Sequence, residues 1–122
     1  MKKLVISRMS IDQSFISLKF GLSFLGLLFI VLGWIAYHVG VRKAINPFVG
    51  FRIPPTYRNP EVWKAVNMRT GILFALHGIF MTISGIVLPK VEFWAFLLIL
   101  LLPLAGMIIY GTWYAYQLEQ NL

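Results

Sequence analysis

The sequence predicts an all-α membrane protein with three transmembrane helices and a basic, Pro-rich connector between helices 1 and 2. Three observations carry that expectation. Hydrophobic residues make up 59% of the 122 positions and charged ones only 12%, far below the roughly 25% charged residues of soluble domains. No Asp, Glu, Lys or Arg occurs in 20–41, 71–88 or 93–116, each close to the ~20 apolar residues that cross a hydrocarbon core of about 30 Å. All of the net charge of +7, eleven Lys and Arg against four acids, lies outside those stretches, where anionic lipid headgroups would meet it. That placement argues against direct nucleic-acid binding. Length fits one domain, and the absence of cysteine excludes disulfides and thiolate metal sites.

Residues 1–19 read as an interfacial segment. Leu4, Ile11, Phe15 and Leu18 share a helical face away from Lys2, Lys3, Arg8 and Asp12, and Ser10 with Gln13 has the spacing of a capping box. The apolar run that follows is too long for a signal peptide and lacks a small-residue cleavage site, so it reads as a retained anchor. In the first span, 20–41, Gly26, Gly33 and Gly40 recur every seven residues and allow a neighbouring backbone to approach. Trp34, Tyr37 and His38 form an interfacial belt, and Arg42 and Lys43 stop the span.

The connector, 42–70, contains two helix-breaking pairs, Asn46-Pro47 and Pro54-Pro55, with Gly50 between them as a candidate for positive φ. Asn59-Pro60-Glu61 is a helix start: an N-cap, a proline at the first helical position and a carboxylate against the positive end of the dipole. This helix is expected to continue into the second span, 71–88, where Gly71, Ala75, Gly78, Thr82 and Gly85 lie on one stripe suited to helix packing. The short turn 89–92 makes spans two and three an antiparallel hairpin. Span three, 93–116, contains Pro103, where a kink is expected, with Gly106 and Gly111 making room around it. Trp113, Tyr114 and Tyr116 close it as a second belt. Charge leaves orientation nearly tied, with six Lys and Arg on the connector side and five on the other.

The sequence offers no catalytic set, no metal site and no cofactor motif. Two histidines without ligand-spaced Cys, Asp or Glu are too few for zinc, and no nucleophile motif is present. His77 lies inside the second span, where an ionisable group is costly and either packs through a hydrogen bond across helices or serves function. No carboxylate sits within a span, which counts against a proton-coupled transporter. A small transporter would need an oligomer, with the glycine stripe of span two as its interface. An interfacial lipid enzyme would need His77, Glu61 and Arg69 to converge. The connector is either a stop-transfer link shaped by proline or a binding surface. Arg52, Thr56, Trp63, Asn67 and Arg69 supply a guanidinium fork, a hydroxyl, an indole donor and an amide for a carboxylate, phosphate or peptide terminus, with Glu61 beside them.

The run Asn46-x3-Gly50-x-Arg52-x-Pro54-x-Thr56, then Asn59-x-Glu61-Val62-Trp63 and Arg69, resembles the signature of the SdpI family of bacterial membrane proteins. Ile53, Pro55, Tyr57 and Asn67 depart from it, standing where Thr, Trp, Leu and His are common. The resemblance implies a non-enzymatic protein of the bacterial inner membrane with a cytoplasmic connector and C-terminus. It also implies partners: a membrane-active peptide toxin against which the protein gives immunity, or a transcriptional repressor recruited to the membrane for signalling. Family members can carry further spans ahead of the three-span unit seen here. On this basis Arg52, Thr56, Trp63 and Arg69 are expected to make contacts, while Asn46, Gly50, Pro54, Asn59 and Pro60 shape the backbone.

Overall fold

A computed structural model describes residues 2–48 and 50–122, with side chains described for 17–48 and 50–122. Helices α1 (Lys2–Val41), α2 (Pro54–Arg58), α3 (Pro60–Val87) and α4 (Phe93–Asn121) follow in order, and there is no strand among the described residues. The long helices α1, α3 and α4 are each apolar and long enough to cross a bilayer, α1 through its part from Ser17 to Val41. The chain is a three-span all-α membrane protein.

α1 is one rod of 40 residues, about 60 Å at 1.5 Å per residue, and it passes through Ser10 without a break. The helix start expected there is therefore absent: with no Pro or Gly between Lys2 and Phe20, nothing interrupts the backbone ladder. The shared face expected of Leu4, Ile11 and Phe15 falls on side chains outside the described residues. α1 ends in a Schellman turn. Lys43 N–H donates to Gly40 O at 2.9 Å and Ala44 N–H to Val39 O at 2.9 Å, with Lys43 itself left-handed at φ 53.

α1 and α3 are antiparallel and in backbone contact. A Cβ added at Gly26 would lie 2.5 Å from Gly78 O, and one at Gly33 would lie 2.5 Å from Gly71 O. One at Gly40 would lie 3.0 Å from Met68 N and from Asn67 Cβ. Each step of seven along α1 thus meets a step of seven back along α3. Ser23 adds a hydroxyl donor to Thr82 O at 3.1 Å across the same seam. The small-residue stripe of span two is therefore packed within the chain, against α1.

α4 packs against α3 more loosely, with two small buried clusters at its ends. Leu22, Met81 and Val91 are buried at the turn end, with Ala95, Phe96, Ile99 and Leu100 of α4 against them. Val62, Val66 and Ala115 are buried at the connector end. α4 continues as helix to Asn121, beyond the expected end at 116, so the polar tail is helical. Gly106 has nothing within 4 Å, whereas Gly111 faces the Phe51 ring, 2.9 Å from where a Cβ would stand. Gly111 makes room for the connector, which corrects the expectation that both glycines serve a proline kink.

Candidate functional site

The connector folds back over the ends of α1 and α3, and its backbone is held by side chains it brings with it. Asn46 accepts from Phe48 N–H and donates to Ala44 O, both at 2.9 Å, tightening the first bend. Gly50 has φ +112 and lies against Asn67 Oδ1 and the Trp63 ring, so a side chain there would be strained and obstructed. The Pro54-Pro55 pair, expected to break helix, instead begins the single turn of α2. Proline fits the first helical positions because their N–H groups have no partner there. Thr56 locks that turn: its hydroxyl accepts from Ile53 N–H at 2.9 Å and donates to Ile53 O at 2.8 Å. Asn59 then caps α3, accepting from Glu61 N–H at 2.9 Å with Pro60 next in line.

Trp63 and Asn67 tie connector, α1 and α3 together. Both are fully buried. The Trp63 indole donates to Val39 O at 3.1 Å, the carbonyl that also closes the end of α1. Asn67 accepts from Phe51 N–H at 2.5 Å and donates to Trp63 O at 3.0 Å. Its acceptor thus meets the peptide that follows Gly50, while its donor is held by the carbonyl one turn back in α3. The Phe51 ring, fixed by that bond, wedges between α3 and α4 beside Val62, Val66 and Ala115.

The wedge roofs an apolar hollow of about 300 Å³. Its lining comes from Leu32 and Ala36 of α1, Thr70 and Phe74 of α3, Leu104, Met107 and Ile108 of α4, and Phe48, Gly50 and Phe51 above. Phe48 is 89% exposed at its mouth. Arg52 is exposed; Nη1 donates to Pro47 O at 3.3 Å and the guanidinium stands 5.5 Å from the Tyr57 ring centroid. Its side chain therefore lies across the turn that forms the roof, with further N–H donors to spare. Arg69 sits elsewhere, donating to Tyr110 OH at 3.0 Å and lying 4.4 Å over the Tyr114 ring. It lines a second recess of about 430 Å³ with Ile72, Leu73 and Tyr110. The two recesses share no lining residue.

The six residues expected to bind are thus not one open cluster. Thr56, Trp63 and Asn67 spend their polar atoms inside the protein. Glu61, in the first turn of α3, pairs with Lys43, whose ammonium holds the carboxyl below its ordinary range. Arg52 and Arg69 face outward at separate places. His77 and Glu61 are sixteen residues apart on one helix, about 24 Å, and the His77, Glu61 and Arg69 side chains have different partners. The convergence a lipid enzyme would need does not occur. Among the described residues no group of His, Asp and Glu could hold a metal.

Other residues take roles at the site that sequence reasoning does not give them. Phe48 and Phe51 carry no motif of their own, and Lys43, read as a stop signal, also holds Glu61. Tyr110 and Tyr114 stack at 5.8 Å between centroids, a pairing that their spacing of four on a helix allows. Arg69 was a candidate by residue type, but its pairing with these two rings on α4 has no local sequence signal.

Three apolar rods and a basic connector braced by buried Trp and Asn define a polytopic helical membrane protein with a structured loop at one end. The model of the SdpI/YfhL protein family matches residues 42–114, from the end of α1 through most of α4, and the chain belongs to that family. No curated protein and no solved structure matches it.

Proposed function

We propose that the protein is a non-enzymatic receptor in the bacterial inner membrane that takes an amphipathic, membrane-borne peptide at its connector. The apolar part of the peptide enters the hollow beneath Phe48 and Phe51, and an anionic group meets Arg52. The hollow supports this most directly: an apolar space walled by all three spans and roofed by a braced turn with an exposed guanidinium across it. Its volume is at the lower end of the range for ligand sites. Thr56, Trp63, Asn67 and Glu61 hold the frame, and Arg69 offers a second anionic contact at its own recess. Family membership suggests the consequence, immunity to a membrane-active peptide toxin with the connector on the cytoplasmic side. A recruited repressor would instead use the exposed basic face of Arg42, Arg52 and Arg58.

The alternative of a small oligomeric transporter loses the surface it relied on, since the glycine stripe of α3 is filled by α1. The test is survival of cells challenged with a membrane-active peptide toxin. Arg52→Ala removes charge-assisted hydrogen bonds worth about 1.5–3 kcal/mol, so binding weakens about tenfold or more and protection is lost at unchanged membrane level. Undiminished protection by that variant would overturn the proposal.

A further inference from the structure

We infer that His77 is a positioning residue for the hollow, acting through a carbonyl that Pro103 leaves without its helical partner. In α4 the C=O of Ile99 would accept from the N–H of residue 103, but proline has none. His77 Nε2 lies 2.9 Å from that oxygen. A carbonyl can only accept, so the ring must donate from Nε2. Left alone at this depth, the carbonyl would carry the cost of an unmet polar group in apolar surroundings. His77 is 5% exposed, and its Nδ1 has no hydrogen-bond partner. The ring is thus committed to α4 through one bond.

Two features connect that bond to the hollow. Before Pro103, α4 is fixed: Ala95, Phe96, Ile99 and Leu100 pack on the cluster of Leu22, Met81 and Val91. Immediately after it, Leu104, Met107 and Ile108 form one wall of the hollow. His77 therefore clamps the last fixed turn before the wall begins. On its other side the ring meets Phe29 edge-on, centroids 5.4 Å apart, and Phe29 stacks on Phe74 at 4.3 Å. Phe74 lines the hollow as well, so one imidazole sets both the α4 wall and an aromatic of the α3 wall. The functional meaning rests on the hollow being the ligand site, but the clamp itself does not.

The chain contains no cysteine, so pairs introduced for spin labels report without background. One pair, at Val31 of α1 and Ile109 of α4, spans the hollow; a reference pair, at Val31 and Leu98, reads the fixed half of α4. All three positions are exposed. In lipid nanodiscs, His77→Ala is expected to shift and broaden the 31–109 distance beyond its parental width and to leave 31–98 unchanged. His77→Gln, which keeps an N–H donor, shows a smaller shift than His77→Ala. Pro103→Ala returns an N–H to the Ile99 carbonyl, so in that background His77→Ala no longer shifts the 31–109 distance. A general packing role would move both pairs and would survive Pro103→Ala; that outcome, or no shift in either pair, overturns the inference. If the distances behave as expected while toxin protection is unaffected by His77→Ala and by Arg52→Ala alike, the clamp stands and the peptide site falls.

Discussion

The side of α3 that faces α1 and the side that faces α4 differ in what fills the gap between backbones. Toward α1 the backbones close on small residues, with Gly71, Ala75, Gly78, Thr82 and Gly85 meeting Gly26, Gly33 and Ser23, and the larger Phe29–Phe74 pair stacks beside that seam. With lipid as apolar as any side chain, close van der Waals packing is what holds such a pair together. Toward α4 the filling is large and shaped: the Phe51 wedge, the His77 ring and a hollow of about 300 Å³. The first side leaves no volume for a ligand and fixes a rigid pair. The second depends on single polar bonds and a loop residue, which is where binding and adjustment can occur.

Enlarging a seam glycine should break the tight side most severely. Gly33→Val would put atoms 2.5 Å from the Gly71 carbonyl, and backbone on both helices must move. A loss of about 3 kcal/mol or more is expected, read as a lower midpoint when helicity is titrated with SDS. On the loose side the largest effect is expected at Asn67. Asn67→Ala leaves the Phe51 N–H unpaired above a buried tryptophan, for about 2–3 kcal/mol, and hydrogen exchange at the Phe51 amide should accelerate strongly. Gly50→Ala, strained at φ +112, should cost about 2 kcal/mol and disturb the same roof while the α1–α3 seam stays intact.

Much of this division can be read from the sequence, but unevenly. The seven-residue recurrence of glycine on α1 and the alternating stripe on α3 each announce a close-packing face, because helical periodicity places them on one side. That the two faces are partners is not announced. The short link between α3 and α4 makes those two antiparallel neighbours, but says nothing of which pair packs more closely. The site was legible in its backbone and not in its contacts: Asn46, Gly50, Asn59 and Pro60 act locally, so their roles follow from turn and cap chemistry. Trp63 and Asn67 look like free polar groups near the start of α3, yet the partners they find outside it, Val39 O for the indole donor and Phe51 N–H for the amide acceptor, are 24 and 16 residues away. Long-range pairing of this kind leaves no local trace. The same holds for His77, whose partner becomes predictable only once α4 is known to lie against it with Pro103 four residues beyond Ile99.

Smaller effects sharpen the contrast. Arg58 bonds Glu119 at 3.0 and 3.2 Å, tying α2 to the end of α4. The pair is substantially exposed, so Arg58→Ala should cost no more than about 0.5 kcal/mol, with the difference disappearing at high salt.

One substitution made twice in a single helix gives the closest controlled comparison. At Gly106 an added methyl meets open space, so Gly106→Ala changes only backbone freedom and should be neutral or stabilising by up to about 1 kcal/mol. At Gly111 the same methyl would stand 2.9 Å from the Phe51 ring and 3.1 Å from Thr70. The ring can shift only by pulling on the amide that Asn67 holds. Gly111→Ala should therefore be less stable than Gly106→Ala by about 1–2 kcal/mol, and only Gly111→Ala should speed exchange at the Phe51 amide. Both positions sit beyond Pro103 in the same α4 segment, so helix propensity cancels in the comparison and the difference isolates the wedge. Equal stabilities and equal exchange rates would mean that Phe51 does not press on α4, and that the hollow beneath it lacks its roof.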